Sequence, residues 1–186
     1  MDFLTTYALV ALVAAVFVFV VSSVMHIFVP IHKSDYAPMP DEEAVLDALR
    51  ANDVPPGTYM FPYCHSMKEL GEEATIEKFK RGPVGWMTLL KPGPPTMGKS
   101  LLGWFVFSFM ISLVTAYLAD LAIPGPAQRE LVFRFTATTG FLAYGLSAFP
   151  EAIWKGQRLG VTLKFVFDGL LYGLATGYAF ELLWPA

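Results

Sequence analysis

Four polar residues of this 186-residue sequence lie at helical spacing inside a long apolar stretch near its end. Lys164 and Asp168 are four residues apart, so a helix places them on one face, and Tyr172 and Thr176 continue the same row. Such a row is too polar to face lipid and predicts the interior of a helix bundle or a wet cavity. Asp168 is the deepest ionisable group and is our candidate for relaying protons or holding a cation. The alternative, which we favour, is a Lys164–Asp168 hydrogen bond that serves packing.

Three further ionisable residues, Asp120, Arg134 and Glu181, lie in three different apolar stretches. Counting 1.5 Å per residue from the centre of each stretch puts them roughly 12, 9 and 13 Å from the middle of a bilayer, on the same side. Arg134 would then reach either carboxylate. We expect a buried ion cluster that locks three helices together, in preference to a substrate or proton site.

The sequence has three histidines, and all of them lie at or beyond the end of the first apolar stretch, close to a cysteine and a methionine: His26, His32, Cys64, His65 and Met67. Cys-His-x-Met offers soft metal donors, and the two earlier histidines could complete a site. The spacing matches no defined zinc or haem motif, so capping or interfacial histidines are the reading that we favour. No cofactor is therefore predicted, with metal or haem as the alternative.

Gly169, Gly173 and Gly177 recur every fourth residue beside the polar row. Glycines at this spacing allow another helix backbone to approach closely. They predict close helix packing, either within the chain, in a homo-oligomer or with another membrane protein. The sequence contains no glycine-rich phosphate loop and no Gly-x-Ser-x-Gly elbow, so no catalytic residue is predicted.

The elements that must position these residues are four apolar blocks, each close to the ~20 residues that cross a ~30 Å hydrocarbon core. Hydrophobic residues make up 55% of the chain and charged residues only 16%, so the lipid bilayer is the expected environment. We predict an all-α integral membrane four-helix bundle. Its parts are a first helix within residues 1–29, a loop at 30–100, and helices at 101–123, 131–149 and 161–184.

The loop should contain two short helices. Asp41 to Glu43 supply acidic residues that suit a helix N-terminus, and Pro55 to Gly57 follow its end. Ser66 and Glu69 have the spacing of a capping box, and Gly82 with Pro83 would stop the second helix.

Basic residues predict the orientation. The loop at 30–100 holds eight of the 13 Lys and Arg residues, the next connection holds one and the last holds two, whereas the ends of the chain hold none. Both termini should therefore face outward, with the loop in the cytoplasm. The net charge of −3 with no basic patch argues against nucleic-acid binding.

Several segments carry a resemblance. They are His32-Lys33-Ser34-Asp35-Tyr36, Pro40-Asp41-Glu42, Leu46-Asp47-Ala48-Leu49-Arg50, Pro55-Pro56-Gly57, Lys80-Arg81-Gly82-Pro83 and the span with Lys164, Asp168 and Gly169. With these segments the chain resembles an uncharacterised family of small four-span bacterial inner-membrane proteins. The resemblance implies a bacterial inner-membrane location and transfers no catalytic residue.

Two functional classes follow. We favour a non-enzymatic accessory or structural subunit that docks on a larger membrane complex through its glycine-rich last span or its loop. The alternative is a protein that handles a small molecule, an ion or a metal, using Asp168 or the Cys64, His65 and Met67 cluster.

Overall fold

In the computed structural model of the protein, residues 3–123 and 128–185 are described. They divide into two compact units. The first, here called the bundle unit, comprises the chain up to Asp35 and from Thr96 onward, and the second, the loop unit, is Tyr36–Pro95. Pro124 and Pro126, which the sequence suggests as helix breakers, lie outside the described residues.

Helices dominate the structure. The elements in chain order are α1 Phe3–Ile27, a 3-10 turn Pro30–Ser34, α2 Glu42–Ala51, β1 Gly57–Phe61, α3 Met67–Leu70, α4 Glu73–Arg81, β2 Gly85–Leu89, α5 Gly98–Ala122, α6 Arg129–Tyr144, a second 3-10 turn Leu146–Ala148, α7 Phe149–Lys155 and α8 Leu159–Leu183.

Within residues 3–123 and 128–185, three helices are long and apolar enough to cross a membrane: α1, α5 and α8. Each has 25 residues, which at 1.5 Å per residue is roughly 37 Å, more than a ~30 Å hydrocarbon core requires. They coincide with the first, second and fourth predicted spans.

The third predicted span, residues 131–149, is not one helix. α6 ends at Tyr144 after 16 residues, and a 3-10 turn and α7 follow it. The break falls at Gly145, whose backbone lies against Gly169 of α8, and Pro150 stands in the first turn of α7, where proline is tolerated. At roughly 24 Å, α6 is shorter than a usual membrane span.

The glycine row of α8 packs against α6 within the chain. A Cβ placed on Gly169 would lie 2.2 Å from the Cα of Gly145, and one on Gly173 would lie 2.7 Å from the carbonyl oxygen of Ala137. A Cβ on Gly177 would lie 2.6 Å from the Cβ of Ala137. The α6–α8 contact therefore depends on the absence of side chains along this row.

The other bundle contacts are also built from small residues. α1 lies against α8 and α5, and its Ala11, Ala14 and Ala15 are fully buried. Two apolar clusters fill the bundle, one around Val10 and Phe180 and the other around Val18 and Tyr172.

The loop unit departs from the prediction of two helices. α2 forms as expected, with the Asp41 side chain accepting a hydrogen bond from the backbone N–H of Ala44. The second predicted helix is divided at Gly71 into α3 and α4, because α3 ends there after a single turn. Gly82 follows α4 with a positive φ of 63°, which suits glycine.

The loop unit also contains an antiparallel pair of strands that the sequence reading missed, with Gly57 opposite Leu89 and Phe61 opposite Gly85. The all-α class is therefore wrong for this unit. Both strands are short and rich in aromatic and β-branched residues, but their pairing spans about 30 positions, which local periodicity does not reveal.

Candidate metal site

The 3-10 turn after α1 brings His32 to α8. α1 ends at Ile27, Val29 is extended, and Pro30 begins the turn with a φ that proline already favours. The turn places the ring of His32 at a centroid distance of 5.3 Å from that of Phe165. A residue that follows α1 in sequence thereby contacts α8 in its second turn.

His26, His32 and Asp168 meet at this point. One ligand atom from each of the three side chains lies within 4.8 Å of the other two. The two imidazole rings are stacked, with centroids 4.4 Å apart and planes 6° apart. Among the described residues this is the one group of three His, Cys, Asp or Glu side chains close enough to share a metal ion.

Hydrogen bonds define the tautomer of both histidines. His26 Nδ1 lies 3.0 Å from the carbonyl oxygen of Ser22, and His32 Nδ1 lies 2.6 Å from Asp35 Oδ2. A carbonyl and an ionised carboxylate only accept hydrogen bonds, so each Nδ1 carries the proton and donates it. In a neutral ring Nε2 then keeps its lone pair, which is the arrangement of a metal-binding histidine.

Asp168 is buried without an aligned donor. Its residue is 1% exposed, and neither carboxylate oxygen has a hydrogen-bond partner among the described residues. Its Oδ2 lies 2.8 Å from His32 Nε2, but the two atoms are not aligned for an N–H···O bond, and Nε2 is likewise unpartnered. A buried carboxylate normally pairs with a cation or coordinates a metal, so this carboxylate is suited to bind a positively charged group.

The predicted Lys164–Asp168 pair does not form. Lys164 Nζ lies 2.6 Å from Asp35 Oδ1 and 2.9 Å from Ser34 Oγ instead. The two α8 residues share a face as expected, but the 3-10 turn inserts a second carboxylate that takes the lysine. Asp35 was not singled out from the sequence, although the His-x-x-Asp spacing of residues 32–35 was a usable signal.

Asp35 is held in its ionised form. Burial alone would raise the pKa of its carboxyl, but hydrogen bonds from Lys164 and His32, with their charges, outweigh burial and lower the pKa below its usual value. Asp35 therefore remains an acceptor from His32 at neutral pH.

Tyr172, the next member of the polar row, serves packing. It is buried, with its ring 5.7 Å from that of Tyr144 and 5.6 Å from that of Trp104, both edge-on. The hydroxyl of Thr176 donates a hydrogen bond to the carbonyl oxygen of Tyr172 in the same helix.

The predicted cluster of Asp120, Arg134 and Glu181 is also wrong as an ion cluster. Arg134 is 75% exposed and lies 3.8 Å from Glu130, and no ion pair in the described ranges joins it to Asp120 or Glu181. Asp120 accepts a 2.6 Å hydrogen bond from Tyr7. α6 buries the face with Val132, Thr136 and Gly140, which points Arg134 away from the bundle.

The remaining predicted metal residues belong to the loop unit. Cys64 is a half-buried free thiol, the ring of His65 packs edge-on against Tyr63 at 5.0 Å, and Met67 begins α3. The backbone N–H of His65 donates to Glu69, and Ser66 accepts from the N–H of Glu69. His26 and His32 belong to the bundle unit.

Comparison of the chain with protein-family models, with curated proteins and with solved structures finds no match. The site is therefore interpreted from its own geometry.

Proposed function

We propose that this chain is an integral membrane protein that binds one divalent transition-metal ion through Nε2 of His26, Nε2 of His32 and the carboxylate of Asp168. The observation that carries the proposal is the buried Asp168 carboxylate, which accepts no aligned hydrogen bond from the described residues and has Oδ2 2.8 Å from His32 Nε2, beside two histidines whose Nδ1 protons are already committed. A divalent cation balances the carboxylate and uses both imidazole lone pairs.

The donor set selects the class of metal. Two imidazoles and a carboxylate suit Zn²⁺, Fe²⁺ and related ions, whereas Ca²⁺ and Mg²⁺ take oxygen ligands. Tetrahedral ligands at ~2.0–2.1 Å from zinc are ~3.3 Å apart. The ligand atoms, which lie within 4.8 Å of one another, therefore need to close by up to about 1.5 Å around the ion, and the two stacked rings need to tilt so that both lone pairs point at it.

Three protein ligands leave a coordination position open, as in zinc sites that exchange water or substrate. His26 is exposed, while Asp168 is buried, so the ion has one accessible side. This favours a protein that takes up, passes on or uses a metal ion over one that is merely stabilised by it.

A second reading of the same atoms is an imidazolium of His32 bridging Asp35 and Asp168. That reading needs a proton on Nε2 directed at Asp168, and the misalignment of Nε2 and Oδ2 disfavours it. It predicts a protein that is indifferent to metal.

The predicted topology remains part of the proposal: four spans in a bacterial inner membrane, with both termini outside. The distribution of Lys and Arg supports this orientation. α6, the 3-10 turn after it and α7 would together form the third crossing, and the metal site would lie at the cytoplasmic end.

The accessory-subunit hypothesis has less support, because the glycine row that suggested a partner packs against α6 of the same chain. Docking through the loop unit, or as a homo-oligomer, stays open as an outcome of the test.

The test is metal binding by the full chain purified in mild detergent and stripped with a chelator. We expect one Zn²⁺ or Co²⁺ per chain by competition with a chromophoric chelator, and loss of that binding in His32→Ala. His65→Ala is the matched control, a histidine of the loop unit, and should bind as the wild type does. A wild-type chain that binds no metal, but co-purifies with a defined set of membrane subunits, would overturn the proposal in favour of an accessory role.

A further inference from the structure

We infer that Asp35 is a positioning residue of this metal site, which holds His32 in the tautomer and orientation that direct Nε2 at the ion. The inference rests on the proposed metal binding and adds residues outside the ligand set. Asp35 lies outside the ligand set because it would reach the ion only through His32.

The contact itself is short and directional. Asp35 Oδ2 accepts from His32 Nδ1 at 2.6 Å, on the side of the ring opposite to the ligand nitrogen. In metal sites a carboxylate in this position fixes both the tautomer and the rotation of the ring. Its loss would free His32 to protonate Nε2 instead of Nδ1, which removes the lone pair from the site.

Asp35 is not itself a ligand. Its Oδ2 is engaged by His32 and its Oδ1 by Lys164, so both oxygens are occupied. The side chain is 4% exposed, and the positive charge of Lys164 balances its negative charge. The carboxylate of Asp168 is left to balance the ion.

Further contacts connect Asp35 to α8, the helix that carries Asp168. Lys164 also donates to Ser34 Oγ, and Arg158 donates to the carbonyl oxygens of Ser34 and Asp35. These bonds fasten the 3-10 turn to α8 over residues 158–164, just before the ligand at 168. The turn that carries His32 is thus attached to α8, and Asp168 belongs to the same helix. The geometry of α8 therefore determines the distance between His32 and Asp168.

The two histidines differ in how they are held. His26 is oriented by a backbone carbonyl of its own helix, which no side-chain substitution removes. His32 depends on the Asp35 carboxylate and on Lys164 behind it. A change at Asp35 should therefore weaken one ligand and leave the other in place.

The experiment compares the wild-type chain with Asp35→Asn in detergent, using Co²⁺ and Zn²⁺ as probes. We expect Asp35→Asn to bind 10–100-fold more weakly, the usual cost of losing such a partner, with one ion per chain and an altered visible spectrum of Co²⁺. In ¹⁵N-histidine NMR of the metal-free chain, the Nδ1–H signal of His32 should give way to a tautomer mixture. Asp47→Asn is the control, because Asp47 also accepts from a cation, Arg50, at 2.6 Å, but in the loop unit.

A second pair of variants keeps the test decisive if Asp35→Asn does not fold. Lys164→Met should weaken Co²⁺ binding, and Lys164→Arg, which restores a cationic donor, should recover most of it. If Asp35→Asn or Lys164→Met kept the wild-type metal affinity, the wild-type Co²⁺ spectrum and the Nδ1–H tautomer of His32, the inference would be overturned. The metal site itself would then remain intact. A wild-type chain that binds neither ion would overturn the metal site itself, and the inference with it.

Discussion

The two ends of the bundle unit hold their ionisable side chains differently. Where α1 ends and the 3-10 turn begins, the carboxylates of Asp35 and Asp168 are both buried, Lys164 pairs with Asp35, and the ring of His32 lies between the two acids. At the other end, Arg134 and Glu130 are exposed neighbours on one helix, and Asp120 accepts a hydrogen bond from the hydroxyl of Tyr7. The difference lies in the non-helical segment: a turn folds back onto the helices at the first end and supplies the partners.

Arg134 does not contradict membrane insertion. It lies in the second turn of α6, roughly 8 Å along the helix from its start, so its long side chain can extend toward the membrane surface beside Glu130. Such a pair costs little and contributes little, whereas a buried carboxylate without a cation is expensive. We therefore expect the functional site at the first end, and three further predictions test the difference between the two ends.

The largest effect on metal binding is expected when one carboxylate at each end of the bundle unit is replaced by an amide. Asp168→Asn removes the anionic ligand and should weaken Zn²⁺ binding by more than ~100-fold, beyond the 10–100-fold cost of an outer-shell partner. Asp120→Asn, also inside an apolar helix, should leave it unchanged. Competition with a chromophoric chelator measures both, and equal losses in the two variants would mean that the ends are not different.

The next effect concerns the close approach of α8 and α6 beside the site. Gly169→Ala forces a Cβ to within 2.2 Å of the Gly145 backbone and should lower the free energy of unfolding by about 1–3 kcal/mol or more. Gly103→Ala is the matched control in α5, where a Cβ meets nothing within 4 Å and should stabilise the helix by ~0.5–1 kcal/mol. Thermal unfolding in detergent should separate the two, and a neutral Gly169→Ala would contradict the described contact.

The smallest effects belong to the far end. Tyr7→Phe removes the hydrogen bond to Asp120 but keeps the ring on Trp184, and should cost about 1 kcal/mol. Arg134→Gln should change stability by less than ~0.5 kcal/mol, since both partners of its ion pair are exposed. Unfolding of the two variants in the same detergent checks the order, and a larger loss for Arg134→Gln would indicate an ion cluster after all.

Part of the site was accessible to sequence reasoning. Asp168 stood out because a carboxylate deep in an apolar helix needs a partner, and His26 and His32 stood out as metal donors near the end of a span. That these three residues form one site was not predicted. The sequence suggested that Asp168 bonds to Lys164 and that the two histidines join the Cys64 cluster. Asp35 was missed because it looks like an ordinary loop acid, and only the turn at Pro30 brings it to Lys164.

The fold divides in the same way. Apolar length, 3.6-residue periodicity and capping signals are local properties, so the sequence by itself determined three membrane-length helices, the start of α2, the capping box of α3 and the small-residue face of α8. Tertiary structure alone decided the break at Gly145, the pairing of β1 with β2, the outward rotation of Arg134 and the meeting of His26, His32, Asp35 and Asp168. These features depend on which surfaces of distant segments pack against each other. The packing of the whole chain determines those contacts, and no short stretch of sequence contains that information.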